Sequence, residues 1–500
     1  VTSSVLSAVP HGKGVAAALE QIAGPENVFE DRTTLASFAK DESFAPATMP
    51  RAVVRPRTAE EVQRIVCLAA ESRTPLVPVS SGPPHFRGDT VPGEGGAVVV
   101  DLSAMRGIPR VDRRNRVAIV EPGVTFGELI PALAAEGLAP YLPLVPRATK
   151  SVLASMLERE PHTAPRHHWD AQDPLLCIEV VFGTGDVFRT GSAAGPGTLE
   201  EQRKAGGAQM RGMGPGQTDL QRLVQGAQGT FGIVTWASQK CRLLAKRREA
   251  LLVASDSLEA LSSLCREVLR VPLGDDLLVL RGATLAAIVG RDRAEIRRLR
   301  SALPAFVLHF GVDGTGALPA ERIAYQIEDF AALAQREGLA PARVLEPRIR
   351  AVDLAAILSG PSAEPYWKLR ETGACEEILF LSTLDRAADL FEIVRREAEH
   401  AGYPASRLGF HVQPTVQGTS CHCEVTLPYA REDAAQVRSV RRCLGTVSAS
   451  LLDAGAFFSR PYGDAASEAL RRDAVAARVV ETLRGIFDPH RVMNPGKVAL

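Results

Sequence analysis

The segment between Pro50 and Asp101 constrains the fold more than any other part of the chain. Pro50–Pro56 (PRAVVRP) is a strand bracketed by prolines. Thr58 caps a helix whose apolar positions Val62, Ile65, Val66 and Ala69 recur at helical spacing, with Glu60 and Glu61 near its N-terminus. A second strand runs from Pro75 to Val79 and gives way to a breaker-rich loop, Ser80–Asp89 (SSGPPHFRGD). Ala97–Val100 is a buried strand. Together these make a small β-α-β unit that packs one helix face on a sheet.

Downstream the alternation continues. Val117–Val120 is a strand, Glu121-Pro122-Gly123 a turn and Phe126–Ala135 a helix. Leu176–Phe182 and Asp186–Thr190 flank Gly183-Thr184-Gly185, a hairpin signal. The glycine-rich stretch Ala193–Gly216 predicts a surface loop. Asp219–Val224 predicts a short helix and Gly229–Thr235 a returning strand; Val15–Ala23 predicts a helix ending at Gly24. After about Lys246 the composition changes, and two strand–helix units follow, Leu251–Val271 and Ile378–Ala401. Ala465–Ile486 predicts a helical tail, which closes on DPHRVMNPGKVAL. The expectation is an α+β protein of two or three domains, since 500 residues exceed one compact core.

Composition excludes several classes. Hydrophobic residues make up 45% and charged residues 23%, as in ordinary soluble proteins. A net charge of zero removes the electrostatic case for nucleic acid or an anionic membrane. No run of about 18 apolar residues suggests membrane insertion. The first residues, VTSSVLSAVPHGKG, do not read as a signal peptide. The eight cysteines include no CxxC, and Cys421 and Cys423 are the one close pair. That fits reduced thiols in a cytoplasm and places any electron-accepting cluster on another subunit.

Six blocks, in order, resemble the vanillyl-alcohol oxidase / para-cresol methylhydroxylase (PCMH) superfamily of FAD-linked oxidases. They are PRAVVRPRTAEEVQRIV; PLVPVSSG with AVVVDLS; VAIVEPGVTFGELIPAL; SVLASMLER with LLCIEVVFGTGDVFRTG; MGPGQTDLQRLVQGAQGTFGIVT; and FDPHRVMNPGKV. The resemblance implies a two-subdomain PCMH-type FAD-binding domain over residues 1–245. It further implies an α+β cap with an antiparallel sheet over 246–455 and a tail over 456–500 that returns to the first domain. It implies FAD as cofactor, weakly held or lost if the substitutions below matter.

In such a fold the dinucleotide phosphates are met by main-chain N–H groups of a tight loop. Here Gly82 and Gly88 remain, while Pro83 and Pro84 each remove a donor. Ser80, Ser81 and Arg87 could compensate, or the stretch is an ordinary surface loop. By the resemblance Gly123, in the turn Glu121-Pro122-Gly123, and Ser151, Ala154, Ser155 and Arg159, in the second loop, approach the cofactor, with Ala154-Ser155 standing for a Gly-Asn pair. Glu160 and His162 replace glycines, and Pro146 stands where phenol-oxidising members carry an aspartate. Gly229, Gly232, Ile233 and Val234 match the segment facing the adenine, and Asn494 and Lys497 match the tail. These could equally be kept for folding. His85 lies where some relatives carry a flavin-linking histidine, without matching neighbours.

Candidate chemistry lies further on. Leu408–Pro414 and Ser420–Pro428 predict a hairpin that brings His411, His422 and Glu424 together. Related 2-hydroxy-acid dehydrogenases hold a metal with such residues, but their Gly-Asp-Gly-Asn and Glu-His-Gly segments are missing; no metal is assigned, and His422 is a base, a substrate ligand or a hydrogen-bonded strand histidine. Arg460 with Tyr462 resembles a Tyr-Arg pair that binds the substrate oxygen, with Phe457 and Phe458 walling a pocket. Arg460 could instead pair with Asp464. Tyr366–Arg370 could line the same cavity, and Trp169, beside His167 and His168, could occupy flavin space.

The function expected is a FAD-dependent dehydrogenase that moves a hydride from an alcohol or alkyl-aromatic substrate to flavin N5. Electrons would pass to a separate subunit or protein. The alternative is a flavin-poor or flavin-free subunit beside an active homologue. Either way the chain is expected in a homo- or hetero-oligomer.

Overall fold

The computed structural model describes residues 14–165, 174–214, 216, 219–346, 349–415, 418 and 420–498. His167, His168 and Trp169 lie outside these residues.

The first sheet has four strands: β1 (Val28–Phe29), β2 (Ala52–Val54), β3 (Leu76–Val79) and β4 (Val98–Asp101). Their order is β1-β2-β4-β3, with β2 and β3 both parallel to β4. The helix Ala59–Ser72 makes this crossover. Thr58 Oγ1 accepts the Glu61 N–H at its start, and Arg73 ends it in the left-handed region. Its buried face, including Val62, Ile65 and Val66, packs with Val54, Val98 and Val100. The strand–helix–strand–loop–strand unit read from the sequence is present, with strand ends shifted by one or two residues.

The second sheet contains β5 (Arg110–Asp112), β6 (Val117–Val120), β7 (Leu138–Pro140), β8 (Leu175–Phe182), β9 (Val187–Arg189) and β10 (Gly232–Leu243). β10 is its centre and pairs antiparallel with β6, β7 and β8.

The third sheet is seven-stranded and antiparallel: β11 (Arg247–Ser255), β12 (Asp276–Arg281), β13 (Phe306–Gly314), β14 (Pro341–Ala342), β17 (Ala374–Ser382), β18 (Gly409–Thr415) and β19 (Ser420–Tyr429). A two-stranded ribbon, β15 (Val344–Glu346) and β16 (Ile349–Arg350), stands apart. Side chains alternate across the large sheet. Phe380, Phe410, Val412, Cys421, Cys423 and Val425 enter the largest hydrophobic core. The residues in the opposite phase are Glu377, His411, Gln413, His422 and Glu424. Register places His411 beside Glu424 and Gln413 beside His422. The predicted hairpin forms, and it gathers polar groups on one face.

Two expectations are corrected. The stretch Ala193–Gly216 is not all loop: Leu199–Lys204 is a helix closed by a Thr198/Glu201 capping box. The tail is two helices, Gly463–Arg472 and Ala474–Phe487, because Asp473 leaves helical geometry and caps the second through Ala476 N–H. Among the described residues no helix is long and apolar enough to cross a membrane.

Candidate functional site

Two clefts meet where the loop Ser80–Asp89, the helix Val152–Leu157 and the large sheet converge. The first is lined by charged groups: Arg87, Arg147, Lys150, Glu158, Glu160, Lys368, Glu377, Glu424 and Arg460, with His85, His411 and Tyr366. The second is largely apolar and carries Leu102, Leu153, Val224, Gly229, Gly232, Ile233, Val234 and Tyr462. Pro78, Ser80, Asp89, Ala154 and Glu158 line both, so the two are continuous.

The charged cleft is held by one ion-pair network. Arg87 donates to Glu158, to Glu160 at 3.2 Å and to Glu377 at 3.0 Å. Lys150 Nζ meets Glu158 at 2.9 Å and Glu160 at 2.7 Å. Lys368 bridges Glu377 and Glu424 on β17 and β19. Burial opposes the charge on Glu160, but Lys150 and Arg87 outweigh it and hold its pKa well below the usual carboxylate range. Glu377 is lowered in the same way by Lys368 and Arg87 against burial. So Arg87 is committed to three carboxylates.

Arg147 and Arg460 differ from the other cations. Both are buried, at 6% and 3% exposure, and neither has a carboxylate within ion-pair distance among the described residues. Arg147 donates to Gly82 O at 3.0 Å, lies over the Phe86 ring and has its pKa lowered by burial. Arg460 donates to Glu158 O at 3.3 Å and lies 3.4 Å from His422 Nε2, not against Asp464. Burial, then Arg460, pushes the His422 pKa well below its ordinary value, so the ring is neutral. His411 faces the charged cleft with neither ring nitrogen hydrogen-bonded, and burial followed by Lys368 lowers its pKa to about 3.

The predicted substrate group is therefore divided. His411 and Arg460 share the charged cleft, with Tyr366 and Lys368 beside them. His422 sits behind Arg460. Tyr462 lines the apolar cleft instead, with Arg87 over its ring. Phe457 is 66% exposed and Phe458 packs into the core on Phe380, so they do not wall a pocket. Trp367 is buried and donates to Val145 O, while Arg370 holds Gly290 O. Among the described residues no group of three or more His, Cys, Asp or Glu is arranged to hold a metal.

Of the predicted cofactor residues, Ser80, Ser81, Arg87 and Ala154 line the charged cleft, and Gly229, Gly232, Ile233 and Val234 the apolar one. Ser151 instead holds local structure, since its Oγ accepts the Ala154 N–H and donates to Pro122 O. Ser155 Oγ donates to Glu160. Arg159 adopts a positive φ of 55° and lines neither cleft. Gly82 N–H is taken by Thr149 O. A Cβ on Gly123 would stand 2.7 Å from Met105 O. Asn494 ties Asp89 O to Gln228 O, and Lys497 faces Asp89 and Asp41.

A dinucleotide fits this place. The apolar cleft suits a stacked purine, and the loop keeps donors despite its prolines: the main-chain N–H groups of Ser81, His85, Phe86 and Arg87 meet no acceptor among the described residues. Similarity to known proteins agrees. A family model described as "FAD binding domain" matches residues 50–191. Residues 50–191 therefore match a FAD binding domain, and the chain as a whole resembles the PCMH-type FAD-linked oxidases. FAD is its cofactor. It is 26% identical to glycolate oxidase subunit GlcD of Bacillus subtilis over 97% of both chains. It is 31% identical to the 4-cresol dehydrogenase [hydroxylating] flavoprotein subunit of Pseudomonas putida over 35% of this chain and 34% of that one. The fold is that of p-cresol methylhydroxylase with substrate bound, at a TM-score of 0.82, 18% identity and coverage of 97% and 96%.

Arg147, Glu158 and Glu377 were not singled out from sequence. A usable signal existed: Glu376-Glu377 interrupts the apolar run of β17, and a charge there must be paired.

Proposed function

We propose that this FAD-dependent oxidoreductase oxidises a small polar alcohol bearing an acidic group, a 2-hydroxy acid, in the charged cleft, and does not act on an alkylphenol. The observation that carries this is the pair of buried guanidiniums, Arg147 and Arg460, lining one cleft with no carboxylate at ion-pair distance among the described residues. A buried cation lacking its counter-ion is costly, and a substrate carboxylate with charge-assisted hydrogen bonds offsets that cost. Among the described residues the cleft offers only Phe86 and Tyr366 as aromatic wall, and Pro146 supplies no acid or base. The glycolate-oxidase relative supports the same class.

When bound, the FAD supplies the hydride acceptor. The apolar cleft would hold its adenine end, and the amides of Ser81 and His85–Arg87, unpaired among the described residues, would receive its phosphates. Arg147 and Arg460 fix the substrate carboxylate. His411, neutral and beside Gln413, accepts the hydrogen bond of the substrate hydroxyl; an anion beside it favours its protonated form, so it can take the hydroxyl proton. Lys368 and Glu424 hold the wall behind it. The large sheet with the residues around it acts as the substrate cap, and electrons leave to a separate acceptor; the relatives described as subunits support a second polypeptide.

The test is anaerobic mixing of FAD-loaded protein with candidate donors while the flavin absorbance is followed. Small 2-hydroxy acids bleach it and 4-alkylphenols do not; the reverse result removes the proposal. A protein that stays colourless after incubation with FAD would return the structural-subunit reading.

A further inference from the structure

Asp89 closes the loop Ser80–Asp89 and lies where the two clefts join, lining both with Ser80 and Glu158. Its carboxyl makes no hydrogen bond or ion pair among the described residues; only its main-chain oxygen is used, by Asn494. This is the place a dinucleotide must cross. With the purine in the apolar cleft and the flavin in the charged one, the doubly negative pyrophosphate lies between them, against Asp89.

An ionised carboxylate there repels the phosphates, and two of the nearby cations are already committed to glutamates. Arg87 is held by Glu158, Glu160 and Glu377, and Lys150 by Glu158 and Glu160. The charged and titratable groups facing Asp89 are Glu158 and Asp41, which disfavour its charge, and Arg87, Lys150 and Lys497, which favour it, with Tyr462 alongside. Burial first, then Glu158, raises its pKa to about 6. A neutral carboxyl carries an O–H donor, and this loop has lost two donors at Pro83 and Pro84.

We propose that Asp89 is a cofactor-binding residue that receives the FAD pyrophosphate as the neutral acid, donating a hydrogen bond to a phosphate oxygen, so that FAD binding takes up one proton. The proposal rests on FAD being the cofactor. If only the neutral acid binds, the linkage equation with a pKa of about 6 weakens FAD affinity roughly ninetyfold from pH 5 to pH 8.

The experiment titrates FAD into the full-length apoprotein between pH 5 and 8, following flavin fluorescence. Calorimetry in two buffers of different ionisation enthalpy counts protons. The expected result is that fall in affinity and uptake of close to one proton per FAD near pH 7. Asp89→Asn keeps a donor without a charge: it should bind FAD at pH 8 about as tightly as the natural protein does at pH 5, with no slope. Asp89→Ala removes charge and donor together and should bind without slope but more weakly than the Asn variant. A flat profile in the natural protein, or an unchanged slope in Asp89→Asn, overturns the proposal and leaves FAD as cofactor. Failure to bind FAD at any pH removes both.

Discussion

Lys368→Met isolates one element of the charged cleft and gives a stability prediction with a definite pH dependence. In the native protein Lys368 lies between Glu377 and Glu424, its side chain 7% exposed. Methionine fills similar volume, so the loss is electrostatic and not a cavity. Glu377 keeps Arg87 at 3.0 Å, whereas Glu424 loses its only ion-pair partner among the described residues. Removing one member of a buried pair costs about 3–5 kcal/mol. Protonation caps that cost: neutralising a glutamate with the ordinary pKa of about 4.3 costs about 4 kcal/mol at pH 7.5 but only about 1 kcal/mol at pH 5. Left without Lys368, the buried carboxylate binds a proton more readily in the folded than in the unfolded protein, so the penalty grows as pH rises above the unfolded-state pKa and the variant's deficit is greatest near neutrality. At about 1 °C per kcal/mol for 500 residues, Tm of the apoprotein should drop about 4 °C at pH 7.5 and only about 1 °C at pH 5. Thermal unfolding followed by tryptophan fluorescence reads this. Equal deficits at both pH values would refute the reasoning, because the penalty would then not be an unpaired carboxylate.

Gly232→Ala places a Cβ 2.3 Å from Val181 O and 2.9 Å from Phe182 Cα, so the β8–β10 pairing must part; the apoprotein should lose about 1–3 kcal/mol in urea unfolding. A variant of native stability that fails to hold FAD would assign this glycine to the cofactor instead. Arg460→Ala should abolish flavin reduction by 2-hydroxy acids and leave the FAD:protein ratio unchanged, and Arg147→Met should raise KM more than it lowers kcat; unaltered kinetics would remove either residue from the site. Asp488→Asn keeps one acceptor but turns the other of the two oxygens that accept from the Val492 and Met493 N–H groups into a donor facing a donor, costing about 1–3 kcal/mol and exposing the tail to limited proteolysis.

What could be read in advance followed local chemistry. Thr58 before an amphipathic run gives a capped helix, and the alternation of Phe410 and Val412 with His411 and Gln413 gives a strand with one polar face. The Thr198/Glu201 capping box and the Asp473 cap were legible in the same terms; glycine content and a long helical period hid them. The network of the charged cleft was not legible, because Arg87 and Glu377 stand 290 residues apart and no local rule pairs them. The glycines carry a sharper lesson. Gly229 and Gly232 match the segment that faces adenine in the family, yet each is also required by packing alone. At Gly229, with φ of 75°, a Cβ would fall 2.5 Å from Pro78; at Gly232 it would meet Val181 O. Conversely, the amides left free for phosphate belong to Ser81, His85, Phe86 and Arg87, none of them glycine. Glycine count is therefore a poor gauge of cofactor retention in either direction. The relevant quantity is how many main-chain donors the fold leaves unspent at the cleft, and that depends on where Thr149 O and the Asp41 carboxylate already take the Gly82 and Gly88 N–H groups.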